Sequence, residues 1–452
     1  MSSPAHPPPP PPPSGSREQE PSRVRWEILG LMLLLSMVTY LDRVNISIAA
    51  KQIIGAYRLT DVEMGKIFSA FILSYGLFQV PGGWLGDRFG PRIVLLAAVV
   101  WWSAFTALTA SIADLLPAAL LPAVWSLVLA RFCLGMGEAA AWPNFNRTIA
   151  NWMALKERAF ATSVPLAGGG LGAAITPPFI AWLMLRYGWR ESFYVAAALG
   201  VAVALVWFWR ARDAPEQHRR VNQAELRAIH SAEGGEASRA VRPKARRPPT
   251  PWRAIAANLN VWLLFASAMT CGYMVYIYMT WFYTYLVEVR HLTVMQGSYY
   301  TTGPFLAIAL MTPAGGLLCD AAARRFGLRL GRRIISMSGM LAAGAGLFLG
   351  AILSNMHAAI WGLSIGAGAI YFALSSHWAA TIDISSEHAG TVSGVMNWGG
   401  NVGGMVSPVL TPILAKRFGW TAALETAAVI ILLGAFLWLF VRPDEKLPEP
   451  GR

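Results

Sequence analysis

The chain has 452 residues, 55% hydrophobic and 13% charged, with a mean hydropathy of +0.45; an ordinary soluble domain carries about a quarter charged residues. The apolar residues arrive in blocks of roughly 20 to 25, the length that crosses a bilayer as a helix. This excludes a soluble globular enzyme and identifies an all-α polytopic membrane protein. The net charge of +13 collects at Arg23 with Arg25, from Arg210 to Arg253 and from Arg324 to Arg333. That asymmetry marks cytoplasmic segments and attraction to anionic lipid heads, and it argues against nucleic acid as a partner.

In chain order, residues 1–25 form a Pro-rich tail, with Pro7 to Pro13 consecutive and no apolar core. It reads as a disordered cytoplasmic segment and not as a signal peptide. Six spans follow, at 27–50, 62–85, 91–112, 117–142, 158–184 and 191–210, within an N-terminal bundle covering 26–210. Residues 211–255 are polar and Arg-rich and read as a cytoplasmic linker. Six more spans, at 258–287, 296–321, 333–353, 357–380, 389–415 and 420–441, make a C-terminal bundle over 256–441, and 442–452 is a short tail. Both termini are expected in the cytoplasm, in a plasma membrane of the bacterial inner-membrane type.

The two halves repeat. A gapless pairing of Val164–Trp189 with Val395–Trp420 matches Gly168 to Gly399, Gly172 to Gly403, Pro177 to Pro408 and Gly188-Trp189 to Gly419-Trp420. The stretch GGWLGDRFG from Gly82 returns as GGLLCDAAARRFG from Gly315. Duplicated halves around a midplane cavity are a transporter architecture.

Well inside the spans, away from the charged residues near their ends, the charges that stand out are Asp42, Arg43, Arg131 and Glu138. A lone charge at mid-membrane costs about 2.5–3.5 kcal/mol on insertion scales, so each needs a partner or water. Asp42 and Arg43 point about 100° apart around one helix, and Arg131 and Glu138 lie about 10 Å apart along another. Neither pair closes by itself, so a network between the first and fourth spans is expected. A structural clamp between the two helices is the alternative. In the functional reading, Arg43 or Arg131 offers a planar fork to an anionic substrate. Asp42 and Glu138 are candidate proton carriers, each exchanging an Arg partner for a proton.

Cys133, Cys271 and Cys319 lie in apolar stretches without disulfide or metal-ligand spacing, and no cofactor or metal is expected. Within the second half, Tyr276, Ser375, His377, Trp378, Asn397 and Asn401 are polar or amphipathic residues inside spans. Asn397 and Asn401 share a helix face that can hydrogen-bond hydroxyls. His377 with Asp383 is the nearest approach to a catalytic pair, and too weak to support an enzyme; a non-transporting sensor would have no use for the four buried charges.

GWLGDRFGPR, from Gly83 to Arg92, resembles the loop motif of the major facilitator superfamily. There Gly83, Asp87, Arg88, Gly90 and Arg92 serve as conformational machinery, with Asp320 in a copy whose basic residues are delayed to Arg324 and Arg325. That delay leads one to expect a weaker latch in the second half. Together with YLDRVNISIA, RFCLGMGEAAAWPN and NWGGNVGG, the motif is similar to the anion:cation symporter family, over residues of about 25 to 441. That family includes bacterial galactonate, glucarate and hexuronate permeases and the vesicular glutamate and sialic acid carriers of animals. The resemblance implies twelve helices in two pseudo-symmetric bundles and import of an organic anion, most simply a sugar acid (hexonate, hexuronate or aldarate), with protons, by a monomer. It also implies proton coupling through Asp42 and Glu138 and substrate contacts from Tyr40 and Tyr75. Where galactonate-type relatives have a Gln in the fifth span, this chain has Gly169. That leaves room for a bulkier or aromatic acid, or another mono- or dicarboxylate.

Overall fold

The computed structural model describes residues 20–115, 121–154, 157–230, 252–385 and 389–447. Most of the Pro-rich tail and residues 231–251 of the linker lie outside these. Among the described residues every regular element is a helix. The first half comprises α1 (Val24–Tyr57), α2 (Asp61–Phe89), α3 (Pro91–Leu115), α4 (Ala123–Glu138), α5 (Ala141–Trp152), α6 (Arg158–Tyr187) and α7 (Trp189–Arg210). After a short helix in the linker, α8 (Gln223–His230), come α9 (Trp252–Ala257), α10 (Leu259–Thr280), α11 (Phe282–Glu288), α12 (Val294–Phe326), α13 (Leu328–Ile352), α14 (Met356–Ile384) and α15 (Ala389–Leu437).

Among the described residues, ten helical stretches are long and apolar enough to cross a membrane. The count becomes twelve in two ways. α15 is two crossings joined at Gly419, whose φ of 88° lies outside the helical region. α2 is the other addition: Tyr75, Gln79, Pro81 and the Gly82-Gly83 pair dilute its apolar content, yet at 29 residues it is longer than a crossing requires. Two expected spans run further than the sequence suggested. α1 continues to Tyr57 where 50 was expected, and α5 prolongs the fourth crossing to Trp152 where 142 was expected, while α10 with α11 ends the seventh at Glu288, within a residue of its expected end.

The internal repeat is written in the backbone. The glycines with positive φ are Gly90, Gly188, Gly327 and Gly419, two matched pairs from the repeated motifs, each ending a crossing. Only glycine takes that conformation without steric cost. The repeat also fixes packing. A methyl group at Gly168 or Gly172 of α6 would stand 2.6 and 2.7 Å from the Leu33 and Met37 carbonyls of α1. Gly399 and Gly403 of α15 meet the Phe265 and Met269 carbonyls of α10 in the same way. Small residues four apart let backbones touch, the usual glue between helices in lipid. Gly403→Val is therefore expected to cost about 1–3 kcal/mol or more through overpacking, read as a lowered Tm in detergent. Gly30→Ala, where an added methyl meets nothing within 4 Å, is expected to leave the Tm unchanged.

The halves meet near one end of the molecule, the end carrying Tyr57, Trp189, Glu288 and Trp420. Ser69 donates to the Met405 carbonyl at 2.7 Å, Trp281 Nε1 to that of Pro408 at 3.0 Å, and Thr302 to that of Ala174 at 2.9 Å. Lys51 pairs with Glu288 across the same seam. Phe68, Trp281 and Trp420 stack edge to face there, with centroids 5.5 and 6.2 Å apart, and form an aromatic plug.

At the opposite, Arg-rich end the linker is partly built into the first bundle. Glu225 of α8 is fully buried and accepts from the backbone N–H groups of Val24 and Arg25 at 3.3 and 3.0 Å. A carboxylate placed on the free donors of a helix N-terminus opposes the helix dipole favourably. The cap comes from 200 residues away.

Candidate functional site

α1 and α4 run antiparallel, which brings Arg43 to Glu138, the last residue of α4; the Arg43 Nε pairs with Oε1 of Glu138. Asp42, Arg131 and Glu138 are 1%, 2% and 0% exposed. Adjacent in sequence, Asp42 and Arg43 diverge in space. Arg43 turns to Glu138 and a group of aromatic rings, while Asp42 faces α3 and α4, within electrostatic reach of Arg131 and Glu138. The structure thus gathers the four charges that the sequence singled out.

The cluster is incompletely satisfied. Both carboxylate oxygens of Asp42, Oε2 of Glu138, Nη2 of Arg43, and Nε and Nη1 of Arg131 have no hydrogen-bond partner among the described residues. A fully paired buried network would act as a clamp; unspent donors and acceptors at this depth leave capacity for a ligand, water or a proton. The two guanidinium groups bring unused N–H donors suited to a carboxylate or sulfonate.

The Arg43 guanidinium carbon lies 4.4 Å from the ring centre of Tyr75 and 5.3 Å from those of Tyr40 and Phe71. Arg131 rests 4.9 Å from the Phe71 ring. These are cation–π distances, and the rings screen the cations from hydrocarbon. Tyr276 of α10 and Tyr371 of α14 complete the surround within electrostatic reach of Arg43, so both halves contribute. Tyr371 was not singled out in the sequence, where it is a single phenol in the apolar run GAGAIYFAL. Tyr40 covers Gly169: a methyl there would stand 2.6 Å from its ring. Across the seam, Gly76 of α2 lies against Trp398 and Asn401 of α15, with Asn397 half-buried one turn earlier.

Three candidates from the second half lie elsewhere. His377 is fully buried inside its own bundle, bonded to Ser267 at 3.0 Å, to Trp438 Nε1 at 3.2 Å and to the Ala373 carbonyl at 3.2 Å. With both ring nitrogens engaged by protein, it has no face toward the charge cluster. Ser375 donates to the Thr312 and Tyr371 carbonyls. Trp378, 48% exposed, lines a hollow with Ser375, Asp320 and Asp383 toward the Arg-rich end.

The loop motifs sit at the Arg-rich end. Asp87 pairs at 3.2 Å not with its neighbours Arg88 and Arg92 but with Arg147 of α5. Arg88 leans toward Trp84 and Phe89. Arg92 donates to the Phe208 carbonyl at 2.7 Å and, through its backbone N–H, to Asp213 at 2.8 Å. Gly83 lies against Pro143, and Gly90 against the Asp213 carboxylate. In the second half the motif's carboxylate, Asp320, is also paired, although it is 64% exposed. Arg332, from the start of α13, lies between Asp320 at 3.0 Å and Asp383 at 2.9 Å and is only 8% exposed. Asp87 and Arg147 are 65% and 50% exposed, where an ion pair is worth about 0–1 kcal/mol. The cation beside Asp320 comes from the next helix and not from Arg324 or Arg325.

A family model described as Major Facilitator Superfamily matches residues 32–408 and 301–452. Among curated proteins, the chain is 33% identical to a probable sulfoacetate transporter of Cupriavidus necator, over 94% of this chain and 97% of that one. It is 29% identical to a D-galactonate transporter of Escherichia coli O6:H1, with the same coverage. It is 28% identical to a probable galactarate/D-glucarate transporter of Escherichia coli K12, over 96% and 97%. Among solved structures, an inward-facing, unoccupied bacterial homologue of the human lysosomal transporter Spinster superposes with a TM-score of 0.73 at 19% identity, covering 94% and 98% of the two chains. The inward-open xylose transporter of Escherichia coli gives 0.71 at 15% identity, covering 92% and 96%.

Proposed function

The chain belongs to the major facilitator superfamily, and from that premise we propose that it is a proton-coupled symporter that imports an organic anion by alternating access. Transport as such, by an integral membrane protein of this fold, follows from the family and from the anion transporters it resembles. The observation that carries the finer reading is the buried cluster of two Arg and two carboxylates with donors and acceptors left unspent.

In this reading Arg43 and Arg131 hold the anionic group, and Tyr40, Tyr75, Tyr276 and Tyr371 shape the space around it. Asn397 and Asn401 face it from the second half. Glu138 and Asp42 carry the proton. Protonation of Glu138 frees Arg43 for the anion; release of the anion lets the pair reform. The termini and the Arg-rich end face the cytoplasm of a bacterial inner membrane, and the aromatic plug closes the outer side. The two bundles move as bodies about the linker, and the protein works as a monomer.

A sugar acid is the leading substrate, from the galactonate and glucarate relatives. A short sulfonated or dicarboxylic anion is the second reading. It is favoured by the relative at 33% identity and by Gly169, which offers no side chain to bind hydroxyls. A thermal-shift screen on purified protein tests both. A ligand at about 100 times its Kd stabilises by about 2.7 kcal/mol, so sugar acids or short sulfonates are expected to raise the Tm by several degrees, and matched neutral sugars to leave it unmoved. Equal shifts from neutral and acidic sugars would contradict anion recognition.

A further inference from the structure

Serine and threonine hydroxyls inside these helices mostly turn back on their own helix. Thr109 donates to the Phe105 carbonyl at 2.7 Å, Thr148 to that of Asn144 at 2.8 Å, Thr176 to that of Gly172 at 2.6 Å, and Thr301 to that of Gly297 at 2.7 Å. This is the ordinary resting place of a hydroxyl that lacks water. Among the described residues six such buried hydroxyls break the habit, those of Ser36, Ser103, Thr106, Thr284, Ser407 and Thr411, and two of them sit together on α3. Ser103 and Thr106, one turn apart, are each 1% exposed, and neither hydroxyl has a hydrogen-bond partner among the described residues. Thr106 faces the Asp42 carboxylate without closing a well-aligned bond to it. Ser103 is lodged against Gly200 of α7 and Val38, one turn before Asp42 on α1.

The free Thr106 hydroxyl lies by the free Asp42 carboxylate, and the free Ser103 hydroxyl, one turn away on α3, faces Gly200 of α7; all are buried. Unpartnered buried polar groups are costly, and the ones that persist hold water or take part in function. We propose that Thr106 is the positioning residue for the proton on Asp42, with Ser103 holding water behind it. This rests on the reading that Asp42 carries the coupled proton. The Thr106 hydroxyl donates to the ionised carboxylate. When Asp42 takes a proton from water, the hydroxyl accepts from the new O–H or turns back to its own helix, as its sister threonines do. The proton returns to water on release, and no other bond is made or broken. The charged groups around Asp42 are Arg131 and Glu138 from α4 and Arg43 on its own helix; Tyr40, Tyr75 and Tyr276 face Arg43. From α7, Ser192 bonds to Asn45, one turn after Asp42 on α1, and Gly200 lies near Val38, one turn before it; neither titrates.

The test is the pH profile of anion uptake in proteoliposomes, measured beside anion exchange without a proton gradient. Thr106→Val keeps the shape and removes the hydroxyl. It is expected to move the midpoint of driven uptake upward by about half a pH unit or more, because the ionised carboxylate loses a donor. Exchange is expected to stay within about twofold of the parent, and Thr106→Ser to restore the parent profile. Ser103→Ala is expected to shift the midpoint the same way by less, and it serves as the test should Thr106→Val not fold. A Thr106→Val profile that superposes on the parent's overturns the proposal, as does loss of exchange with an unmoved midpoint. For Ser103→Ala used in its place, an unmoved midpoint does the same. A parent profile that is flat with pH overturns the coupling reading itself, and this proposal with it.

Discussion

Arg43→Ala is expected to abolish binding of the anion. A hydrogen bond to a charged group is worth about 1.5–3 kcal/mol, and a bidentate fork makes two, so the loss in affinity should be at least about a hundredfold. Arg43→Lys keeps the charge but not the fork and is expected to fall between the two. The alanine variant should also be less stable, for a separable reason. Arg43 is paired with Glu138, which is fully buried, and removing one partner of a buried pair costs about 3–5 kcal/mol because a charge is left uncompensated. The double variant Arg43→Ala/Glu138→Gln removes that charge. It is expected to regain most of the lost Tm and none of the lost affinity, measured by thermal melts with and without anion. Recovery of binding in the double variant would show that the anion is held elsewhere.

The second large effect separates accumulation from exchange. Glu138→Gln and Asp42→Asn keep the size and polarity of each side chain but cannot cycle a proton. Each is expected to lose uphill accumulation entirely while downhill exchange of labelled anion continues. The two positions differ in their surroundings. Glu138 is bound to Arg43, so its amide frees the Arg permanently, and tighter anion binding with slower release is expected there. Asp42 has no hydrogen-bond partner among the described residues, so its amide should leave anion affinity near the parent value. Measuring Kd and exchange rate together in both variants distinguishes the roles.

The sequence carried the features whose alternatives were few. Charges are so rare in the apolar runs that Asp42, Arg43, Arg131 and Glu138 stood out at once, and helix geometry excluded closure within either helix. The duplicated Gly-Trp and Gly-Pro positions announced two similar bundles. What escaped were contacts made at long range by residues that look ordinary. Tyr371 is one phenol among many aromatics, and Thr106 reads like any helical threonine until its hydroxyl is found unpaired. Arg147 lies beyond the expected end of the fourth span, on a prolongation that hydropathy could not mark. Arg332 comes from the helix after the motif, and Glu225 caps a helix 200 residues earlier. In the second half, Ser375, His377 and Trp378 were chosen for chemistry and span position. A helix face cannot be oriented that way when the bundle around it is apolar on every side. His377 was drawn inward by Ser267 and Trp438, and Trp378 into a hollow beside Asp320 and Asp383.

The central claim is that a buried carboxylate network couples the proton to the anion. The most direct measurement is accumulation of labelled anion in proteoliposomes under an imposed pH gradient, acid on the side from which the anion enters. The account predicts accumulation well above the external concentration in the parent, its collapse on adding a protonophore, and none in Glu138→Gln despite continued exchange. Accumulation that survives the protonophore, or that persists in Glu138→Gln, would contradict it.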